Sequence, residues 1–536
     1  MKNKVLVFRI IFTVALALVL YYFLLPPINL TSPLFWFYAL VVFGFYLFSG
    51  IAKIANIKDV ITKKTTIKKQ TLPLGIGILV LMGIFALILI INFIQSPLFN
   101  SKAYYQRISI NEGGNFTEDV SQVDFNALPL LDKDSSQKLG DRVMGQMPEL
   151  VSQFDVSDLY TQINFNSSII RVTPLEYNGL IKYFTNRNEG IKGYITVNSV
   201  TGETNLTKLE QGMKYMPSAY FFENLYRKLR LSYPTEIFGQ ENFEIDNEGN
   251  PYWIIPTIKY SGVGLREDIT GVIILDPITG QSQKYKVADV PSWVDHVYPA
   301  NLIIEQVNDW GQYKNGFFNS IFGQKNVVQT TTGYNYTVMN DDVYLYTGIT
   351  SALADEANIG FILTNLRTKQ TTFYSVPGAE EYSAMASAEG QVQQMNYRAS
   401  FPLLINLNDK PTYLMSLKDN AGLVKMYALV DVADYQKVVV TEASEGIKKA
   451  VENYLGESTL NVDNNTLLNK TIIINRISNA TIDGTTYYYI TDTNDNKYRA
   501  SIKVSAEILP FLISEDSIKI YYSLEENITE ILSIEK

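Results

Sequence analysis

The sequence predicts a membrane-anchored α+β chain: three transmembrane helices, then serial helix-plus-antiparallel-sheet repeats, then a small C-terminal β-barrel. Three observations carry this. Long uncharged runs are confined to residues 1–95, a hairpin-like segment recurs with its turn residues in the same order, and a strand-rich stretch follows an Asn-rich linker. The implied organisation is a membrane anchor over 1–95, a degenerate first repeat over 96–208, and further repeats over 209–288, 289–375 and 376–442. A helix and linker over 443–465 then lead to the barrel at 466–536.

The first span runs from Ile10 to Leu25 with flanking Val5 to Phe8, carries no charge over 10–25 and ends at Pro26-Pro27, long enough to cross a bilayer. The second covers Leu34 to Ala52, with Trp36, Phe37 and Tyr38 at its start, where amphipathic rings favour the headgroup level. The third covers Leu72 to Ile94 and is almost purely aliphatic from Leu79 to Ile91. Bulky Phe23-Leu24-Leu25 and two later spans exclude a cleaved signal peptide.

Orientation follows from the short loops. Lys2, Lys4 and Arg9 precede the first span, and Lys53, Lys58, Lys63, Lys64, Lys68 and Lys69 separate the second from the third, whereas Pro26 to Pro33 holds no base. The positive-inside rule places the N-terminus in the cytoplasm and everything after Gln95 outside the cell membrane. No span contains Asp, Glu, Lys, Arg or His, which removes support for ion or proton transport. Asn92 and Gln95 at the end of the third span are expected to be solvated at the interface.

Residues 1–72 hold nine of the 45 basic and one of the 54 acidic residues, leaving 36 and 53, so the exterior part carries about −17. Such a field disfavours nucleic acid as a partner. The absence of cysteine removes disulfides, thiol catalysis and thiolate metal sites, and the single histidine, His296, removes any multi-His site. No cofactor, metal or catalytic residue is expected. His296 follows Pro291-Ser292, which reads as a helix start, and is expected to be an ordinary helix residue.

The repeat rests on Gly193-Tyr194-Ile195-Thr196-Val197-Asn198-Ser199-Val200-Thr201-Gly202, echoed by Gly271-Val272-Ile273-Ile274-Leu275-Asp276-Pro277-Ile278-Thr279-Gly280 and more weakly from Gly360 to Thr368. Each reads as strand, Asn/Asp-Gly turn and strand. Met216-Pro217-Ser218, Val290-Pro291-Ser292 and Val376-Pro377-Gly378 follow in order, each expected to open a helix. Ile237-Phe238-Gly239-Gln240 and Ile321-Phe322-Gly323-Gln324 are expected to close two of those helices, before strand pairs such as Phe243–Ile245 with Tyr252–Ile255. A helix around Ser135 to Gln146 would open the first copy, with an extra helix near Leu175 to Asn186.

Helix, strands and a hairpin of the form Ile273 to Gly280 resemble the PepSY family of small envelope and propeptide modules. The resemblance implies a non-catalytic binding or inhibitory module. The whole chain also resembles a group of uncharacterised Gram-positive three-span membrane proteins sometimes labelled as colicin V production proteins.

At the C-terminus the strands Thr471–Asn475, Thr486–Thr491 and Lys497–Val504, a helix Ala506–Ile513, and the strands Ile518–Tyr522 and Thr529–Ile534 resemble the OB-fold in order. Alternation places Lys497, Arg499, Ser501 and Lys503 on one face of the third strand, and the preceding strand adds Tyr487 and Tyr489. Tyrosines beside Lys and Arg on such a face are candidates for binding an extended ligand; the competing reading is a solvated strand face. Asp492 to Lys497 reads as a hairpin turn, because Lys497 and Lys503 occupy positions where a calcium loop needs Gly and Glu.

These features lead to a non-enzymatic envelope protein whose modules bind partner proteins or a cell-wall ligand as scaffold or regulator. Two alternatives remain open: a carboxylate-based hydrolase of wall polymer, which leaves no sequence signature, and a subunit of a membrane protein complex.

Overall fold

The computed structural model describes residues 2–51, 64–123, 128–166, 168–339, 341–352, 354–455, 468–482, 485–505, 507–523 and 529–535. Lys53, Lys58, Lys63 and the linker around Asn461 to Asn465 lie outside them. The chain is mixed α+β and forms two compact units, Met1–Tyr454 and Leu455–Lys536.

Lys2–Leu24, Pro33–Ile51 and Lys64–Gln95 are helical. Within them Leu6–Leu24 and Gly75–Gln95 are long and apolar enough to cross a membrane, and Pro33–Ser49 is a shorter apolar segment. Phe23 is 71% exposed and Leu79 67%. Apolar surface of this extent is costly in water and is stabilised by hydrocarbon.

The helix ends are fastened to the rest of the first unit. Arg230 donates through Nε to the Leu25 carbonyl at 2.9 Å, and the Gly264 N–H donates to the Thr31 carbonyl at 3.0 Å. Asn92 and Gln95 are not merely solvated: Asn92 bonds both main-chain groups of Val263, and Gln95 Oε1 accepts from Arg266 at 3.0 Å. These two side-chain amides thus satisfy main-chain and side-chain groups of a loop between two strands.

Four sheets in this unit share one strand order. In each, two short strands lie end to end along one long strand, which pairs with a fourth strand, which pairs with a fifth. The long strands are Ser168–Tyr177, Pro251–Lys259, Asp342–Ser351 and Lys410–Lys418. The helices Lys133–Gly145, Leu225–Ser232, Ala300–Tyr313 and Glu381–Gln391 precede the respective sets; the first set also holds the extra helix Gly179–Asn186. Apolar strand runs follow from burial on both faces: Trp253 and Ile255 join one core, while Ile254 and Ile258 join another. Helix Ala300–Tyr313 buries Leu302, Ile303, Gln306, Val307 and Trp310, the single face that a 3.6-residue period provides.

The hairpin turns repeat down to individual hydrogen bonds. Asn198 Oδ1 accepts the N–H groups of Val200 and Thr201, each at 2.9 Å. Asp276 accepts from Ile278 and Thr279 at 2.7 and 3.3 Å, Asn365 from Arg367 and Thr368, each at 2.9 Å, and Asp431 from Ala433 and Asp434 at 2.9 and 3.2 Å. Side-chain oxygens thereby replace the main-chain partners a tight turn lacks. Three of these turns close in left-handed backbone, at Gly202 (φ 77°), Gly280 (φ 72°) and Lys369 (φ 67°). In the fourth, Asp431 donates to the carbonyl of Lys437, whereas Asp276 donates to that of Gln281, so this turn is one residue longer.

The next carbonyl in each turn holds the chain that enters the same unit. Leu131 donates to Ser199 at 3.0 Å, Tyr215 to Pro277 at 2.9 Å, Tyr298 to Leu366 at 2.9 Å and Ala379 to Val432 at 2.8 Å. Pro217, Pro291 and Pro377 fall in or beside these entry segments, and the helices begin later, at Leu225, Ala300 and Glu381. The expected helix start at Pro291-Ser292 is therefore corrected, and His296 lies outside the helix. The reason is tertiary: N–H groups that would open a helix are taken by the hairpin and by Glu244.

Ile237–Phe238 and Ile321-Phe322 are not equivalent either. The first pair forms a strand against Ile258 and Thr257, whereas the second lies in the helical turn Asn319–Gly323, and Val328–Thr330 takes the corresponding strand position.

Residues after the third helix do not open the first sheet. Ile110–Gly114 adds a parallel strand to Thr371–Tyr374, and Phe116 packs edge-on against Phe361 at 5.3 Å. The first sheet begins only at Phe154.

In the second unit, Leu468–Ile482, Thr485–Asp492, Lys497–Ser501, Ser517–Ser523 and Thr529–Glu535 pair edge to edge in a closed ring. The first strand pairs with the second and fourth, the second with the third, and the fifth with the fourth and, in parallel, the third. Ile472, Ile490, Ala500, Ile518 and Ile531 fill it. The expected helix over Ala506–Ile513 is a 3-10 turn, Leu509–Phe511, with Ala506 outside the described residues. Pro510 lacks the N–H a longer helix needs.

Candidate functional site

The barrel face proposed from sequence is built by a regular ladder. Tyr489 stands opposite Arg499, Thr491 opposite Lys497 and Tyr487 opposite Ser501. Tyr488, Ile490, Tyr498 and Ala500 are buried, so Tyr487, Tyr489, Lys497 and Arg499 share the outer face. The Arg499 guanidinium lies 5.4 Å from the centre of the Tyr487 ring, a cation–π distance. Lys497 is exposed and Arg499 half-buried.

Lys503 does not continue this row. The strand ends at Ser501, and Lys503 falls in the 3-10 turn Ile502–Val504, with its side chain outside the described residues. The cross-strand ladder stops at Tyr487–Ser501, and a 3-10 turn bonds main-chain groups locally beyond that point.

Asp492 sets the hairpin beside this face. Its Oδ1 accepts the N–H groups of Asn494 and Asn496, each at 2.9 Å, and its Oδ2 accepts from Tyr498 Oη at 3.0 Å. Burial pushes its pKa up, but hydrogen bonds from Asn496, Asn494 and Tyr498 override that push and hold it at about 2. Its oxygens are committed to the turn.

A second polar constellation lies in the first unit, where the first three sheets meet. Glu244 is fully buried and accepts the N–H groups of Asp295 and His296 at 2.8 and 3.0 Å. Asp295 Oδ2 accepts the Asn164 N–H at 2.8 Å, and His296 Nε2 lies 2.7 Å from the Gln162 carbonyl oxygen. Burial raises both carboxyls, Glu244 to about 7, in opposition to these N–H donors. Burial and the nearby Arg171 charge lower His296 to about 4, against its bond to Gln162.

Beside this cluster is a cavity of about 390 Å³, lined by Gln162, Arg171, His296, Tyr336 and others. Gln162 and Arg171 are cross-strand partners, and Arg171 faces away from the core that holds Ile170 and Val172. A larger concavity of about 830 Å³ runs along Ile191–Asn198 and Thr204–Met213. Among the described residues no three metal-ligating side chains converge.

Sequence reasoning singled out His296 for its uniqueness but missed Glu244, Asp295, Gln162 and Arg171. They come from two sheets and the loop before helix Ala300–Tyr313, and form no motif. One signal was present: Arg171 interrupts the apolar run Ile169-Ile170-Arg171-Val172. No protein-family model matches the chain, and no curated protein matches it.

Proposed function

We propose that this is a non-enzymatic, membrane-anchored envelope protein whose extracellular modules bind partner proteins or a cell-wall ligand, as scaffold or regulator. The observation that carries the reading is the seating of successive helix ends on one body. The end of the first helix at Leu25, the approach to the second at Thr31 and the end of the third at Asn92 all bond to residues 230–264. Three helices crossing in alternate directions would have this arrangement. Lys2 and Lys4 then fall at the opposite end of the first helix and Lys64, Lys68 and Lys69 at the opposite end of the third, and the positive-inside rule directs the body outward.

Exposed apolar side chains near those ends support the same orientation. Arg227 lies 3.9 Å from the centre of the Tyr22 ring and donates to the Phe221 carbonyl, next to exposed Phe222. Tyr104 meets Tyr313 at 5.8 Å beyond the third helix, shortly before exposed Phe318 and Phe322. Aromatic side chains in such positions suit the headgroup layer.

The shared strand order and turn bonding support serial PepSY-like modules. The ring order, with its parallel closing pair, supports an OB-like barrel, a fold that binds oligosaccharides and oligonucleotides on its second and third strands. Those are the strands that carry Tyr487, Tyr489, Lys497 and Arg499.

The test is to incubate the full chain in detergent with purified cell walls. Sedimentation with the wall and no soluble sugar supports a binding module. Release of reducing sugar overturns the non-enzymatic reading in favour of a hydrolase. Neither result removes the wall ligand and leaves partner proteins, to be sought by cross-linking in membranes.

A further inference from the structure

Arg171 is 5% exposed, and among the described residues its side chain has no hydrogen-bond or ion-pair partner, with Nε wholly buried. Its cross-strand neighbour Gln162 is 1% exposed, and both the Nε2 and Oε1 of its amide are likewise unpartnered. Both side chains line the cavity of about 390 Å³. Asp132 and Asp134 act on this guanidinium only through space, Asp132 being bonded to Lys418; a buried guanidinium with no directly bonded partner is unfavourable, and most buried polar groups are paired. Two adjacent exceptions on one cavity wall need an explanation, and a role in contacting a ligand supplies one.

The rim identifies the way in. Lys133, Gln240 and Asn301 line the same cavity and are exposed, so it opens to solvent. Its volume lies towards the small end of ligand clefts, which span about 300–1,000 Å³.

We propose that this cavity binds a small monocarboxylate flanked by a hydroxyl or amide group, such as a hydroxy acid or the C-terminal residue of a peptide. The carboxylate pairs with the Arg171 guanidinium in the planar geometry that such groups favour. The flanking group meets Gln162, whose amide offers both a donor and an acceptor. A single negative charge fits better than a phosphate dianion, because Asp132 and Asp134 also line the cavity and would repel a second charge. The inference is independent of the barrel face and of wall binding.

Two small acids separate the sources: lactate stands for free hydroxy acids and N-acetylalanine for peptide C-termini. The full chain in detergent is melted with each acid, with neutral lactamide and with inorganic phosphate. At least one acid is expected to raise the unfolding midpoint saturably, whereas lactamide is not. Arg171→Met should weaken that binding at least tenfold, while its own midpoint without ligand stays at or above that of the wild type. Gln162→Leu, which keeps the main-chain carbonyl that His296 contacts, should weaken binding at least fivefold and serves if Arg171→Met does not fold. A response to neither acid, a response to phosphate alone, or unchanged binding in the folded variants overturns the assignment.

Discussion

Asn92 and Val263 bond to each other twice: the Asn92 amide donates to the Val263 carbonyl at 3.0 Å, and its Oδ1 accepts the Val263 N–H at 2.8 Å. The last turn of an apolar helix is thereby clamped to the second sheet's loop. Asn92→Ala leaves both main-chain groups unpaired, at a cost of about 1–3 kcal/mol. The expected outcome is a lower unfolding midpoint and faster proteolysis at Ser261 to Arg266, measured on full chain in nanodiscs. Unchanged proteolysis would mean that the clamp contributes nothing.

The left-handed turn glycines should differ in sensitivity. A Cβ on Gly202 would meet Leu131 at ordinary contact distance, 3.4 Å, so Gly202→Ala costs only the backbone term, about 1–2 kcal/mol. A Cβ on Gly280 would clash with the Tyr215 ring, which adds overpacking of about 1–3 kcal/mol. Thermal melts should rank Gly280→Ala below Gly202→Ala. Lys369 occupies the corresponding position of the third turn and bonds the Arg107 carbonyl at 2.7 Å.

Glu244 and His296 should give opposite pH slopes. The folded pKa of His296, about 4, lies below its unfolded value of about 6.5, so the unfolded chain takes up the proton first and stability falls as pH drops through that window. Glu244 is raised to about 7, so the stability it contributes is fully present below its unfolded value of about 4.3 and is lost as pH rises through 7. Asp295, also raised by burial, is common to both variants, so denaturant titrations between pH 4 and 7 should show a more positive slope of stability against pH in Glu244→Gln than in His296→Gln. Equal slopes in the two variants would contradict the assignments.

On the barrel, Arg499→Ala should weaken binding to wall fragments about tenfold, in line with the 1.5–3 kcal/mol of a charged hydrogen bond. Its melting curve should be unchanged. Asp492→Ala should lower the midpoint, because it frees the N–H groups of Asn494 and Asn496 within the turn. A fall in binding matched by a fall in stability for Arg499→Ala would return the face to a structural role.

The parts of this fold that could be read from sequence are those decided locally. The turns at Asn198, Asp276 and Asn365 could be read because side chain and main chain within five residues settle them. The outer face of Tyr487, Tyr489, Lys497 and Arg499 followed from alternation as far as the ladder runs, and failed at Lys503 where the ladder stops. The segment 290–299 misled because Glu244, some 50 residues earlier, takes the N–H groups that helix signals would have used. The Gln162–Arg171 wall was illegible for a related reason: its burial depends on sheets that only the fold brings together.

We propose that the repeats and barrel stand outside the membrane on three crossing helices. Reporter fusions test this, with an enzyme active only outside the cell attached either after Lys536 or within Lys63 to Lys69. Activity at the first position and none at the second is the predicted result; the reverse pattern, or activity at both, would contradict it.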